Sequence, residues 1–316
     1  MSNLGGVVVG TVKSVQDPEG EGRIQVEFPW MAGKNDGYWA PHATLMAGGK
    51  RGSWFMPEIG DEVLVAFDHG DVNHPFIVGF LWNGADKPPT TDDTIDEHVR
   101  RLRTVKGHTI DFDDRDGKEK IVVKTNGKHS IEMVDAPGPT HVEVKTTGEQ
   151  KLTMSDGPGL VHVETKGGQK VQLDDAPAKI HLETTGGQKV TLEDATPKVH
   201  LETAGGQKVF LDDAPMKVEL QTAAGQKVTL QDAPPTVSIS LVTGSKIEIG
   251  PTGITVSAPA GMLNVNCLQA TVTASSLLSI NAPFISFGGV VQVPTLIANA
   301  VVSSAYTPAP GNTFGL

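Results

Sequence analysis

One cysteine, Cys267, stands in 316 residues, so no intrachain disulfide framework and no thiolate metal cluster is available. Its neighbours Val265 and Leu268 mark it as an ordinary strand residue. No stretch is apolar for long enough to predict a membrane-spanning helix. The N-terminus lacks a charged region followed by an apolar run, so no secretory signal peptide is expected and the chain is read as made in the cytoplasm. Aromatic residues are only 5% of the chain, whereas glycine numbers 36 and proline 21, a balance that favours many short strands over one large core. Basic residues are outnumbered 37 to 26, and the net charge of −11 argues against DNA or RNA as a partner. Residues 249–316 contain no Asp, Glu, Lys or Arg at all.

What is present is a repeat. Gln150-Lys151, Gln169-Lys170, Gln188-Lys189, Gln207-Lys208 and Gln226-Lys227 recur every nineteen residues. A fixed period means one small unit stacked on itself, a rod rather than a globule. Each unit holds two strands, such as Lys170-Val171-Gln172-Leu173 and Lys179-Ile180-His181-Leu182-Glu183. Strand alternation puts Val171, Leu173, Ile180 and Leu182 on one side and Gln172, His181 and Glu183 on the other. Asp174-Asp175-Ala176-Pro177 and Gly186-Gly187 supply the turns. The first two steps, Ile110 to Ile131 and Ile131 to Leu152, are each 21 residues long.

Around this zone the chain divides into four parts. Residues 1–84 alternate at strand period in short segments and predict a small Greek-key barrel of the OB type. Residues 85–106 read as a linker, with Lys87-Pro88-Pro89-Thr90-Thr91-Asp92-Asp93 as its polar centre and a brief helical turn over Asp96 to Arg103. Residues 107–250 form the repeat shaft and 251–316 an uncharged distal β-helix, whose last residues, 305–316, either fold alone or pair with another protein.

A two-sided ribbon of such units has a thin core and open edges. Three parallel copies remove both problems: apolar sides meet on an axis and strand edges pair between chains. The expected fold is therefore all-β, an N-terminal OB barrel followed by an intertwined homotrimeric β-helix or β-prism shaft. A left-handed hexapeptide helix needs an aliphatic residue every six positions; spacings of 2, 7, 2 and 8 here disfavour it.

Four sets of residues are candidate sites. His141, His162, His181 and His200 recur with the unit, as do Lys170, Lys189, Lys208 and Lys227; stacking alone produces such columns, and solvated faces are the favoured reading. Asp113-Asp114, Asp174-Asp175 and Asp212-Asp213 repeat at turns without the single opposed pair that glycosidic cleavage needs. Trp30, Trp39, Trp54 and Trp82 cluster in the barrel and read as core and interface packing rather than base-stacking platforms. No catalytic residue, cofactor or metal site is expected.

Two blocks of sequence resemble a known family. In the barrel they are Gly22-Arg23-Ile24-Gln25-Val26-Glu27-Phe28-Pro29-Trp30, Trp39-Ala40-Pro41, the run from Arg51 to Phe67, His69-Gly70-Asp71 and Pro75 to Gly84. After it stands Gly107-His108-Thr109-Ile110-Asp111-Phe112-Asp113-Asp114. Together they are similar to the OB domain and β-helix of VgrG-type spikes and phage baseplate spike proteins. The resemblance implies a non-enzymatic central spike at the end of a contractile tail tube, propelled out on sheath contraction to puncture a target envelope. It implies a homotrimer, with hub and baseplate proteins at the barrel end and a conical PAAR-repeat tip protein at the other. Effector cargo and transient contact with a target membrane belong to the same picture. The barrel opens near residue 4, so the hub is expected to be a separate protein. The linker has no room for a lysozyme domain. All ten histidines lie at or before His200, so the His-x-His iron site of some short phage spikes is missing. A spike of a phage-tail-like contractile injection system is the preferred reading, ahead of a phage spike. The alternative functions are a trimeric β-helical tailspike that cleaves polysaccharide and, further off, an OB-fold binder of single-stranded nucleic acid.

Overall fold

The structure is a computed structural model that describes residues 5–31, 37–90, 96–138, 140–300 and 302. Its chain forms two compact units, Met1–Gly261 and Met262–Leu316. Regular structure is β apart from one short 3-10 turn, Asp68–Gly70.

The N-terminal sheet contains β1 (Val7–Ser14), β2 (Ile24–Glu27), β3 (Tyr38–Ala40), β6 (Glu62–Phe67) and β7 (Pro75–Leu81), with a two-residue-strand hairpin, β4 (Ala47–Gly48) and β5 (Arg51–Gly52), inserted before β6. Strand order is β3-β2-β1-β6-β7. Just past β3, the Ala43 N–H donates to the Ile77 carbonyl at 2.8 Å and the Ile77 N–H donates to the Pro41 carbonyl at 3.0 Å, so the sheet curls until β3 meets β7. This is the OB arrangement expected from the sequence. Period-two alternation sends Val12, Ile24, Val26, Val63, Val65 and Ile77 inward, where they are buried with Phe28, Ala40 and Phe67. None of the four tryptophans belongs to that core: Trp30, Trp54 and Trp82 are exposed and Trp39 is half-buried. The core reading of the tryptophans is thus corrected. Aliphatic residues fill this narrow barrel, and the indoles lie on its surface.

Beyond the barrel, seventeen strands run as one antiparallel meander from β8 (Val99–Arg103) to β24 (Gly253–Ser257), each hydrogen-bonded to its neighbours in sequence. Turns of two kinds alternate. At one end of the strands, Thr184-Thr185-Gly186-Gly187-Gln188 closes with the Gly187 N–H on the Thr184 carbonyl, 2.8 Å, and Gly187 sits at φ +85°, which favours glycine. The Gln188 N–H also donates to Thr184 Oγ1, at 3.2 Å. The same backbone bond recurs at Thr165, Thr203 and Thr222, and the Thr184 hydroxyl donates to Gln188 Oε1 at 2.8 Å, a side-chain bond that gives glutamine its place in the repeat. At the other end Ala176-Pro177 turns the chain between Asp175 and Ala178, which pair directly.

The two 21-residue steps leave the ladder unbroken. Asp113 pairs with Lys120 and Val134 with His141, so each turn spans six residues where Ser155 to Leu160 spans four. The extra residues lie in turns.

Three sequence expectations differ from the structure. The 85–106 linker contains a strand: Val99–Arg103 pairs with β9 (Thr109–Asp113), and before it stands a single turn, the Val99 N–H donating to the Asp96 carbonyl at 3.2 Å, with no helix among the described residues of that linker. Its three arginines hid the alternation, but Arg101 sits opposite Asp111 and Arg100 close to Asp114, which compensate those two. Thr91, Asp92 and Asp93 lie outside the described residues. Second, strand edges pair with neighbours in the same chain, so edge pairing between chains is not needed for the meander; its faces remain for association. Third, the distal β-helix expected over 251–316 is regular only through β24. Residues 262–300, including the strand-like Leu277-Leu278-Ser279-Ile280, form no ladder and are exposed throughout. That stretch lacks the Thr-x-Gly-Gly-Gln turn that folds the repeat strands back on one another. Residues 305–316 lie outside the described residues.

Candidate functional site

The dominant surface of the molecule is the aliphatic face of the meander. Cross-strand register aligns it into two columns. One runs Val171, Leu182, Val190, Leu201, Val209, Leu220, Val228 and on to Ile239, Ile247 and Val256. The other runs Leu173, Ile180, Leu192, Val199, Leu211, Val218, Leu230 and on to Val237, Ile249 and Ile254. Both extend back to the first strands, where Leu102 faces Ile110 and Arg100 faces Phe112. These columns are open. Leu201 is 39% exposed and Leu220 49%, although neighbours flank them on both sides. A contiguous apolar face of this extent marks an interaction surface. Its strands are five or six residues long, short of the nine to eleven that a transmembrane β-strand needs.

The opposite face is polar and internally compensated. Lys170, Glu183, Lys189, Glu202 and Lys208 alternate in cross-strand register. Lys189 lies 3.5 Å from Glu183 and Lys208 lies 3.3 Å from Glu202. The lysine column is therefore half of an alternating ion ladder.

His162, His181 and His200 share the central column of this face, separated by Gln172 and Thr191. Successive histidines are thus two strands apart, about 9–10 Å, too far to share an ion. His141 stands in a flanking column between Val134 and Ser155, so the four do not form one line. The two-residue shift of the early repeats carries it there. His181 Nδ1 lies 3.1 Å from Thr191 Oγ1, and the His200 ring stacks on Phe210 with centroids 4.2 Å apart. Among the described residues no group of three His, Cys, Asp or Glu side chains is placed to hold a metal.

Both carboxylates of the first aspartate pair, and one of each later pair, have a side-chain partner. Asp113 accepts from Arg115 Nε at 2.8 Å and Nη2 at 2.5 Å; that bond, working against burial, holds its pKa down at about 2. Asp114 takes Arg100 at 2.9 Å. Asp174 accepts from the Gln172 amide at 2.9 Å, and Asp212 lies 3.8 Å from Lys217. Glu219 is deeply buried; burial would raise its pKa, but the hydrogen bond from Lys227 and the charges of Lys217 and Lys227 bring it down. Asp113 and Glu219 are both shifted downward, away from a proton donor's role at neutral pH.

Two features were not anticipated. A cavity of about 700 Å³ lies between Trp82, Pro88 to Thr90 and the polar face of the first strands. Arg101 spans it, bonding Asp111 at 2.6 and 2.8 Å and the Pro89 carbonyl at 3.3 Å. The clue was present in the opposite charges of Arg100 to Arg103 and Asp111 to Asp114. The barrel also exposes Phe76, Val78 and Phe80 along β7, with Leu45 and Phe55 beside the β4–β5 hairpin.

Residues 8–82 match the type VI secretion system/phage-baseplate injector OB domain, and residues 217–277 match the phage baseplate V C-terminal trimerisation domain. In both regions the chain is similar to phage-baseplate and VgrG-type spike proteins. The second match covers the last strands of the open aliphatic face and the start of the charge-free tail, and it supports a homotrimer. Among curated proteins, the actin cross-linking toxin VgrG1 of Vibrio cholerae is 33% identical over 128 residues, 35% of this chain and 11% of that protein. The type VI secretion system spike protein VgrG3 of Vibrio cholerae is 30% identical over 127 residues, 35% of this chain and 12% of that protein. VgrG1a of Pseudomonas aeruginosa, also named a spike protein, is 29% identical over 34% of this chain and 20% of its own length. The matches thus span a small part of each relative. Of solved structures, the G-box domain of the microcephaly protein CPAP aligns over 51% of this chain and 99% of its own with a TM-score of 0.37 and 10% identity, a likeness too slight to bear on the fold. The resemblance to VgrG-type and baseplate spikes stands on the two domain matches and these relatives. No helix among the described residues is long and apolar enough to cross a membrane.

Proposed function

We propose that three copies of this chain form the central spike of a phage-tail-like contractile injection system. The observation that carries the reading is the pair of aliphatic columns, unbroken from Ile110 and Phe112 to Val256 and Ile254 and half-exposed in the single chain. Burying the remaining exposed part of each leucine or valine of such a face gains about 1 kcal/mol, roughly half the value for full burial. Three faces turned toward a common axis bury every layer at once, and the Lys–Glu ladders then lie outside, in water. The tail follows the same logic by another route. Its aliphatic pairs, Leu263/Val265, Leu278/Ile280 and Val291/Val293, have no ladder in their own chain and gain one by pairing with two other copies.

In this arrangement residues 1–84 form the barrel that meets hub and baseplate proteins. Residues 99–257 form the shaft, and the uncharged remainder the end that receives a PAAR-type tip. A distal surface without charge crosses a lipid layer with no ion to desolvate, which suits puncture. The work is mechanical: the chain contributes stiffness and a narrow profile and catalyses nothing. A polysaccharide-cleaving role gains no support from the aspartates, which repeat at turns without a single opposed pair.

Co-purification tests this role. Expressed with the tube and tip proteins of its particle, the full chain is expected to be recovered with both, and to run as a trimer in mild detergent. Recovery of the chain alone from intact particles refutes it.

A further inference from the structure

The repeat that builds the aliphatic face also makes it ambiguous. Two strands, one nineteen-residue unit, separate Val161 from Ile180, Val199 and Val218, and Leu173 from Leu192, Leu211 and Leu230. A chain displaced along its partners by one unit therefore meets side chains that differ by at most one methylene. Strand direction is also preserved, because the displacement is two antiparallel strands. Over this zone nothing distinguishes the correct layer from the next.

The barrel-proximal end is different. Arg100 and Phe112 occupy the first two positions of one aliphatic column, directly opposite each other, and Phe112 is followed by Ile121 and Met133. Arg100 is the charged residue at the head of that column. It reaches solvent at the end of the sheet, 64% exposed and 2.9 Å from Asp114. Phe112 is the column's aromatic residue and is 40% exposed.

We propose that Arg100 and Phe112 set the axial register of three chains. This rests on the three-chain reading above. In register, the guanidinium groups stay at the wet end of the bundle and the three phenyl rings share one layer. Displaced by one unit, Arg100 of one chain enters the Ile121 layer of its partners, and Phe112 enters the Met133 layer. The first places a charge among aliphatic side chains; the second overfills one layer and underfills another. Both oppose a specific wrong assembly rather than strengthen the right one. Phe210 is the matched contrast: an aromatic in the same repeat zone, but on the polar face beside His200, where it has no part in register.

Mixed disulfides test this in the full-length chain. In a Cys267→Ser background, chains carrying Val209→Cys are co-expressed with chains carrying Val190→Cys, oxidised, and mapped by peptide mass spectrometry. These positions lie two strands apart in register, about 10 Å, beyond disulfide reach. A 209–190 link forms only when two chains are one unit out of step. With Arg100 and Phe112 intact, links are expected only between like positions. With Arg100→Leu/Phe112→Leu, mixed links are expected to rise roughly tenfold or more, the factor set by one badly filled layer. Arg100→Leu alone, a change at a mostly exposed side chain, is expected to give a smaller rise. Phe210→Leu is expected to give none. Trimers of the double variant with only like-to-like links overturn the assignment and leave the trimer standing, as do mixed links equally abundant in the unaltered chain. Monomers by native mass spectrometry overturn the three-chain reading itself.

Discussion

Leu201→Ala separates a lone sheet from a three-chain bundle by magnitude. In the single chain Leu201 lies between Val190 and Val209 and keeps 39% of its surface in water. Truncating a half-solvated leucine removes only part of its transfer free energy, about 1 kcal/mol. If three aliphatic faces meet on an axis, the same side chain is fully enclosed. Its truncation then costs about 2–5 kcal/mol per chain, the range for buried leucine. The loss is repeated in three copies of one layer, about 6–15 kcal/mol per assembly. Thr191→Ala is the control, a change on the next strand but on the polar face. Guanidinium unfolding followed by circular dichroism at two protein concentrations reads both effects. Leu201→Ala is expected to lower the midpoint far more than Thr191→Ala, and the midpoint is expected to rise with protein concentration, as mass action requires of an associated native state. Equal small shifts for the two variants, with midpoints independent of concentration, would refute the reasoning.

Turn glycines give a graded test: a Cβ on Gly225, at φ +89°, would meet Val242 Cγ1 at 2.9 Å, whereas one on Gly168, at φ +83°, would meet nothing closer than Thr185 Oγ1 at 3.5 Å. Gly168→Ala is expected to cost about 1 kcal/mol from the left-handed backbone and Gly225→Ala measurably more, read as thermal midpoints. Asp113 is held at about 2 against an ordinary 3.8, so its bond with Arg115 stabilises the fold above the ordinary value and is lost as pH falls toward 2. Asp113→Asn is expected to flatten the acid destabilisation between those values in pH-dependent unfolding, and an unchanged profile would contradict it. Glu202→Gln interrupts the outer ion ladder beside Lys208 and is expected to cost under about 1 kcal/mol, because exposed ion pairs contribute little. A loss several times larger would mean that this face is the enclosed one.

The repeat was legible because its period is carried by groups with fixed jobs. Gln188 accepts its place from Thr184, and Val171, Leu173, Ile180 and Leu182 alternate at strand period. Face assignments, turn positions and the barrel followed from that alternation. Strand Val99–Arg103 was not legible, because its arginines read as linker polarity until Asp111 and Asp114 were seen beside them. His141 was grouped with His162, His181 and His200 by spacing along the chain, yet the six-residue turn between Val134 and His141 puts it in another column. Cross-strand register, not sequence distance, decides which side chains are neighbours. The tryptophans misled for a related reason. Alternation identifies inward positions, whereas Trp54 and Trp82 lie beyond strand ends, where hydrophobicity alone says nothing about burial.

The number of chains in solution tests the central claim most directly. Native mass spectrometry of the full-length protein is predicted to give about 100 kDa, three times the chain mass of 33.3 kDa. A species of 33.3 kDa that retains its β-sheet circular dichroism and a cooperative unfolding transition would contradict the account.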